Sequence, residues 1–74
     1  MKKYLIVLEK TGIGFSAYSS DLDGCVATGK TRNEVEQEMQ EAIAFHLEGI
    51  TRKGEPIPEP SIHSAYVEVP AQAH

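Results

Sequence analysis

Apolar residues change their spacing along the chain, and each change marks an element. Tyr4, Leu5, Ile6, Val7 and Leu8 are apolar on both alternating sides, which predicts an interior strand covered on both faces. Thr11-Gly12-Ile13-Gly14 supplies hairpin chemistry, and Phe15 to Ser19 then sets Phe15 and Ala17 against Ser16 and Tyr18, the period of a second, antiparallel strand. Ser20 to Gly24 is a run of short polar side chains closed by glycine, and so a turn; Cys25 to Thr28 gives a short third strand. Thr31 followed by Glu34 fits a capping box. From there Val35, Met39, Ala42, Ile43, His46, Leu47 and Ile50 recur at helical spacing. Glu34, Gln37, Glu38, Glu41 and Glu48 fall opposite them, so the segment reads as one amphipathic helix of about five turns. Gly54 follows Arg52 and Lys53 as a C-terminal cap, and Pro56, Pro58 and Pro60 impose an extended crossing. Ile62 to Val69 alternates again, predicting a fourth strand ended by Pro70, with Ala71 to His74 expected to fray.

The order is strand, strand, strand, helix, strand. It predicts an α+β fold, β-β-β-α-β, with a four-stranded sheet and the helix packed on one face. One helix covers one side only, while the first strand is apolar on both. The other face or an edge is therefore expected to meet a second copy, a partner protein, or both.

Composition narrows the function. At 74 residues the chain is expected to be one small domain, 1–74, too short for a two-domain enzyme. A chain this short buries only about 60% of its unfolded surface, and such folds commonly add disulfides, a metal or a partner. Cys25 is the sole cysteine, so no intrachain disulfide forms, and three scattered histidines build no zinc site with it. The remaining support is association. Five apolar residues near the N-terminus are too few for a signal peptide or a membrane span, so a cytoplasmic protein with no membrane partner is expected. Net charge is −4, which disfavours direct nucleic-acid binding. Between Thr31 and Ile50 a single arginine, Arg32, faces Glu34, Glu36, Glu38, Glu41 and Glu48, a balance equal to that of the entire chain.

Reactive groups are sparse. Asp21 and Asp23, with Glu9, form the one set of acids that could hold a magnesium ion, yet Asp followed by Gly is also what a turn requires. Cys25 as a nucleophile needs a histidine held beside it, and neither His46 nor His63 has supporting sequence context, so a small buried side chain is the simpler reading. His46 falls on the apolar stripe, as a core histidine does. Gly12-Ile13-Gly14 lacks the later glycine and the following helix of a phosphate loop. No catalytic, metal or cofactor residues are assigned. Two surface features stand out: the acidic helix face, suited to a basic partner, and Phe45, an aromatic placed away from the apolar stripe near Glu38 and Glu41.

Several of these stretches together carry a family likeness. They are Phe15-Ser16-Ala17-Tyr18, Asp21 through Gly29, Thr31 with Glu34, Ala42-Ile43, His46 through Gly49, and Glu55-Pro56-Ile57-Pro58. In this order and spacing, from about Tyr4 to Val69, the chain resembles the HicB-like antitoxin family, which often has proline where Asp23 stands. The resemblance implies a partial ribonuclease-H-like fold and an antitoxin that blocks HicA-like toxins, small basic proteins of double-stranded-RNA-binding fold that cleave messenger RNA. Many members continue into a DNA-binding domain. A member ending at His74 is expected to lack it, so DNA binding and autoregulation are not carried over. Nor is nuclease activity, since Glu9 is the only acid near the first strand. The leading expectation is a non-catalytic protein that neutralises a HicA-like toxin by contact through Glu34, Glu38, Glu41, Phe45 and Glu48, and that forms a homo-oligomer. The alternatives are a stand-alone dimeric scaffold or regulatory domain without a toxin, and a residual metal-dependent nuclease using Asp21 and Asp23.

Overall fold

The structure is a computed structural model and describes residues 2–71. Three strands and one helix follow in order: β1 (Ile6–Lys10), β2 (Phe15–Ser19), β3 (Val26–Gly29) and α1 (Arg32–Arg52). The strands form one antiparallel sheet in the order β1-β2-β3, so β2 is central and the other two are edges. The fold is thus α+β, with a three-stranded antiparallel sheet and a single helix.

Strand β2 coincides with its expected span, whereas β1 starts two residues later than the apolar run and continues to Lys10. The turn sets this shift. Thr11 N–H donates to the Gly14 carbonyl at 2.8 Å, which fixes Lys10 opposite Phe15 and carries the register back to Ile6 opposite Ser19. β1 is also not covered on both sides as expected: Ile6, Val7 and Leu8 are each only half-buried. Similarly β3 begins at Val26, because the Cys25 N–H is still held by the preceding turn through the Leu22 carbonyl at 3.4 Å.

The pleat separates two faces. Leu8, Ala17 and Ala27 are successive cross-strand partners on the side that α1 covers, and Val7, Tyr18 and Val26 are partners on the open side. Ala17, Leu22, Cys25, Val35 and Met39 form the buried core, with Ile6, Leu8, Phe15 and Leu47 packed at its margin. Leu22 is 1% exposed although it sits between two aspartates; the turn uses its polar residues for backbone geometry and folds its one apolar residue under the sheet. Gly24, at φ 83°, supplies the left-handed backbone that lets the chain reverse into β3.

Both ends of α1 are capped by local chemistry. The Thr31 hydroxyl accepts from Glu34 N–H at 3.1 Å. Glu34 does not return this bond to Thr31, as a reciprocal box would; its carboxylate accepts instead from Lys30 N–H at 3.3 Å. At the other end Gly54 takes φ 75°, its N–H donates to the Thr51 carbonyl, and Glu55 N–H reaches back to Ile50, the paired bonds of a Schellman cap. Thr31→Ala is expected to cost about 1 kcal/mol and to lower the melting temperature by roughly 4–8 °C, as measured by thermal denaturation followed by circular dichroism.

The expected fourth strand is not formed. Residues 55–71 have no regular structure, and the predicted four-stranded sheet is three-stranded among the described residues. The root of this arm is tied down. Tyr4 Oη donates to the Pro58 carbonyl at 2.6 Å, Lys2 pairs with Glu59 at 2.6 Å, and Asp21 accepts from the Ser61 N–H and hydroxyl at 3.2 and 3.0 Å. Beyond Ser61 the alternating residues gain no ladder, and Tyr66, Val67 and Val69 stand in solvent. Period-two alternation states which side of a sheet a residue would face; it does not supply the neighbouring strand. The radius of gyration is accordingly 15.3 Å, against about 11 Å for a compact chain of this length. Of the C-terminal segment expected to fray, residues 72–74 lie outside those described.

Candidate partner interface

The solvent side of α1 is built by spacing alone. At about 100° per residue, Glu34, Glu38, Glu41, Phe45 and Glu48 fall within roughly a quarter of the helix circumference, away from the Val35–Met39 line that enters the core. All five are exposed, and Phe45 is 80% exposed, a large apolar surface for an unpartnered helix position. Their charges are not equally available. Glu48 pairs with Arg52 at 2.6 Å and Glu34 is bonded to the Lys30 backbone, while Glu36, on another side of the helix, pairs with Arg32 at 3.0 Å. Among the described residues no cation pairs with Glu38 or Glu41. The uncompensated charge therefore flanks Phe45.

Phe45 also borders a groove that the sequence does not reveal. Packing of α1 over β3 opens a cleft of about 410 Å³, with Phe45, Ala42 and Ile50 from the helix on one wall and Cys25 and Val26 from the sheet on the other. Val26 is 67% exposed and continues outward into the open-face row with Tyr18. A second groove of about 560 Å³ lies between Lys2, Tyr4 and Ile6 and the amide side chains of Asn33, Gln37 and Gln40, which offer hydrogen bonds but no reactive group.

The residues weighed for catalysis are differently placed. Asp21 is used structurally, holding Ser61 and so the root of the arm, while Asp23 is exposed. Among the described residues no three His, Cys, Asp or Glu side chains gather as metal ligands would, so Asp21, Asp23 and Glu9 are not brought together. Cys25 and His46 do line the same cleft. However, burial pushes the Cys25 thiol up from its ordinary pKa, opposite to the lowering that makes a cysteine nucleophilic. His63 lies on the exposed arm. No helix among the described residues is long and apolar enough to cross a membrane.

The chain as a whole is similar to known antitoxin proteins. The family model for the HicB-like antitoxin of bacterial toxin–antitoxin systems matches residues 4–73. An uncharacterised 14.9 kDa protein from the rep-hol intergenic region of Haemophilus phage HP1 (strain HP1c1) is 33% identical over 67 residues, covering 90% of this chain and 50% of the phage protein. The chain thus spans about half the length of the curated relative it matches. Of solved structures, the HicA3 and HicB3 toxin–antitoxin complex contains a similar chain, with TM-score 0.67 and 37% identity over 81% of this chain and 70% of that one. The crystal structure of antitoxin HicB3 is similar at TM-score 0.68 and 38% identity, over 77% of this chain and 42% of HicB3.

Proposed function

The chain belongs to the HicB-like antitoxin family, and on that basis we propose that it is an antitoxin that binds a HicA-type, mRNA-cleaving toxin and blocks it by direct contact. The observation that carries this reading is the family match over residues 4–73, joined to the likeness to a chain of the HicA3–HicB3 complex. Family membership supports a non-catalytic, regulatory role. The mechanism is occlusion. A protein that grips RNA presents cations to phosphates, and an acidic surface competes for those cations without offering a bond to cleave.

The contact surface proposed is the stripe of Glu34, Glu38, Glu41, Phe45 and Glu48. Glu38 and Glu41 supply charge that no cation among the described residues neutralises, and Phe45 supplies an apolar anchor between them. Residues 1–74 are read as one HicB-like domain acting in the cytoplasm, with no metal, cofactor or direct nucleic-acid contact. The ribonuclease-H-like four-stranded sheet belongs to the same proposal: Ser64, Ala65 and Tyr66 line a cleft with Leu5 to Leu8, beside the outer edge of β1, the edge such a fourth strand would pair with.

A homo-oligomer is favoured by a separate observation, the open-face row of Val7, Tyr18 and Val26, in which Tyr18 and Val26 are exposed. A dimeric scaffold without a toxin would use the same row. The two readings separate in cells. Co-expression with HicA-type toxins, HicA3 among them, is expected to restore growth that at least one of these toxins alone arrests; continued arrest with every one at equal expression would refute the antitoxin reading.

A further inference from the structure

β3 is the outermost strand on its side of the sheet, and among the described residues nothing pairs with its outer edge. In an antiparallel ladder, residues alternate between those whose backbone groups face the neighbouring strand and those whose groups face away. Ser19 N–H donates to the Cys25 carbonyl at 3.2 Å, which sets the phase. Cys25, Ala27 and Gly29 turn their backbone groups towards β2, and Val26 and Thr28 turn theirs outward. Edge strands of soluble proteins are normally guarded by charge, proline or a bulge. Val26-Ala27-Thr28-Gly29 has no charge and no proline, and its pairing with β2 runs without a bulge. The edge of β1 differs, since it ends in Glu9-Lys10 and has the arm beside it.

The bare edge runs directly into the cleft between Val26 and Phe45. We infer that the partner docks by strand addition: an extended, basic segment pairs with Val26 and Thr28 on the outer edge of β3 and seats an apolar side chain against Phe45. This rests on the toxin-binding reading above and specifies how that site is engaged. Strand addition takes its affinity from main-chain bonds and its selectivity from side-chain pockets, and both are present here within one short stretch. Charge selects the occupant. A second copy pairing β3 with β3 would bring two acidic helices, each with unpaired Glu38 and Glu41, to the same side of the joined sheet, whereas a basic segment meets those carboxylates favourably.

The test is amide hydrogen exchange on the intact chain, alone and bound to a HicA-type toxin. Val26 and Thr28 are expected to exchange rapidly in the free chain and at least tenfold more slowly in the complex, while Ala27 is protected in both. Thr28→Pro removes one outward donor and leaves the β2 ladder intact; it is expected to weaken binding at least tenfold, with Thr28→Ala within about twofold of the parent. Unchanged exchange at Val26 and Thr28 in a complex that does form overturns strand addition while the partnership stands. Protection that appears without the toxin and grows with protein concentration assigns the edge to a second copy and also overturns it. If the parent chain does not bind the toxin, the antitoxin reading falls, and strand addition with it.

Discussion

Met39→Ala is expected to leave the protein close to its unfolding threshold, lowering the melting temperature by at least about 10 °C. Met39 is fully buried in a core that, among the described residues, has five buried apolar members, so its side chain is a large share of what the core holds. Removing such a side chain costs about 2–5 kcal/mol. A fold of this size holds in total about 4–11 kcal/mol. The substitution consumes a large part of that margin, in contrast to the same change at an exposed helix position. Met39→Leu keeps the volume and is expected to cost under about 1.5 kcal/mol. Urea and thermal melts of the two variants check the claim, and a Met39→Ala protein melting within a few degrees of the parent would show that the core lies elsewhere.

The hairpin gives a comparably large effect from a single methyl group. A Cβ on Gly14 would lie well inside contact distance of the Gly29 carbonyl oxygen and 2.9 Å from Lys30 Cα. Both obstacles are backbone, so no side chain can swing aside. β2 and β3 would have to separate at Phe15 and Gly29, the pair that closes the ladder before α1 begins. Gly12, two residues earlier in the same turn, has open space where its Cβ would go, and neither glycine needs a left-handed backbone. Gly14→Ala is therefore expected to lose about 1–3 kcal/mol or more, and Gly12→Ala to be near neutral. Equal melting temperatures for the two variants would contradict the β2–β3 register.

Features decided by near neighbours in sequence were legible there. The helix from Thr31, the Gly54 cap and the acidic stripe all follow from spacing and contacts no more than five residues apart, and β2 from its own alternation. Features decided by distant contacts were not. β1 slid by two residues because its pairing with β2, which runs out to Ile6 opposite Ser19, sets its bounds and the apolar run does not. Ile62 to Val69 has the right alternation for a strand but pairs with none among the described residues, and three prolines and the Asp21–Ser61 tether govern where it leaves the body of the protein. Leu22 was hidden by its polar neighbours. The cleft between Val26 and Phe45 exists only because α1 crosses β3, although the odd placement of Phe45 on an acidic face was the visible sign of it.

Glu38 and Glu41 are the carboxylates of the stripe that pair with no cation among the described residues, and their exposure leaves the fold indifferent to their sign. The most direct measurement is the dissociation constant of the complex with a HicA-type toxin, taken by calorimetric titration at low and physiological salt for the parent and for the double variant Glu38→Lys, Glu41→Lys. Tight binding by the parent that weakens with salt, and a loss of about 100-fold or more in the variant without a change in its melting temperature, is the predicted result. A variant that binds as tightly as the parent at low salt would contradict it.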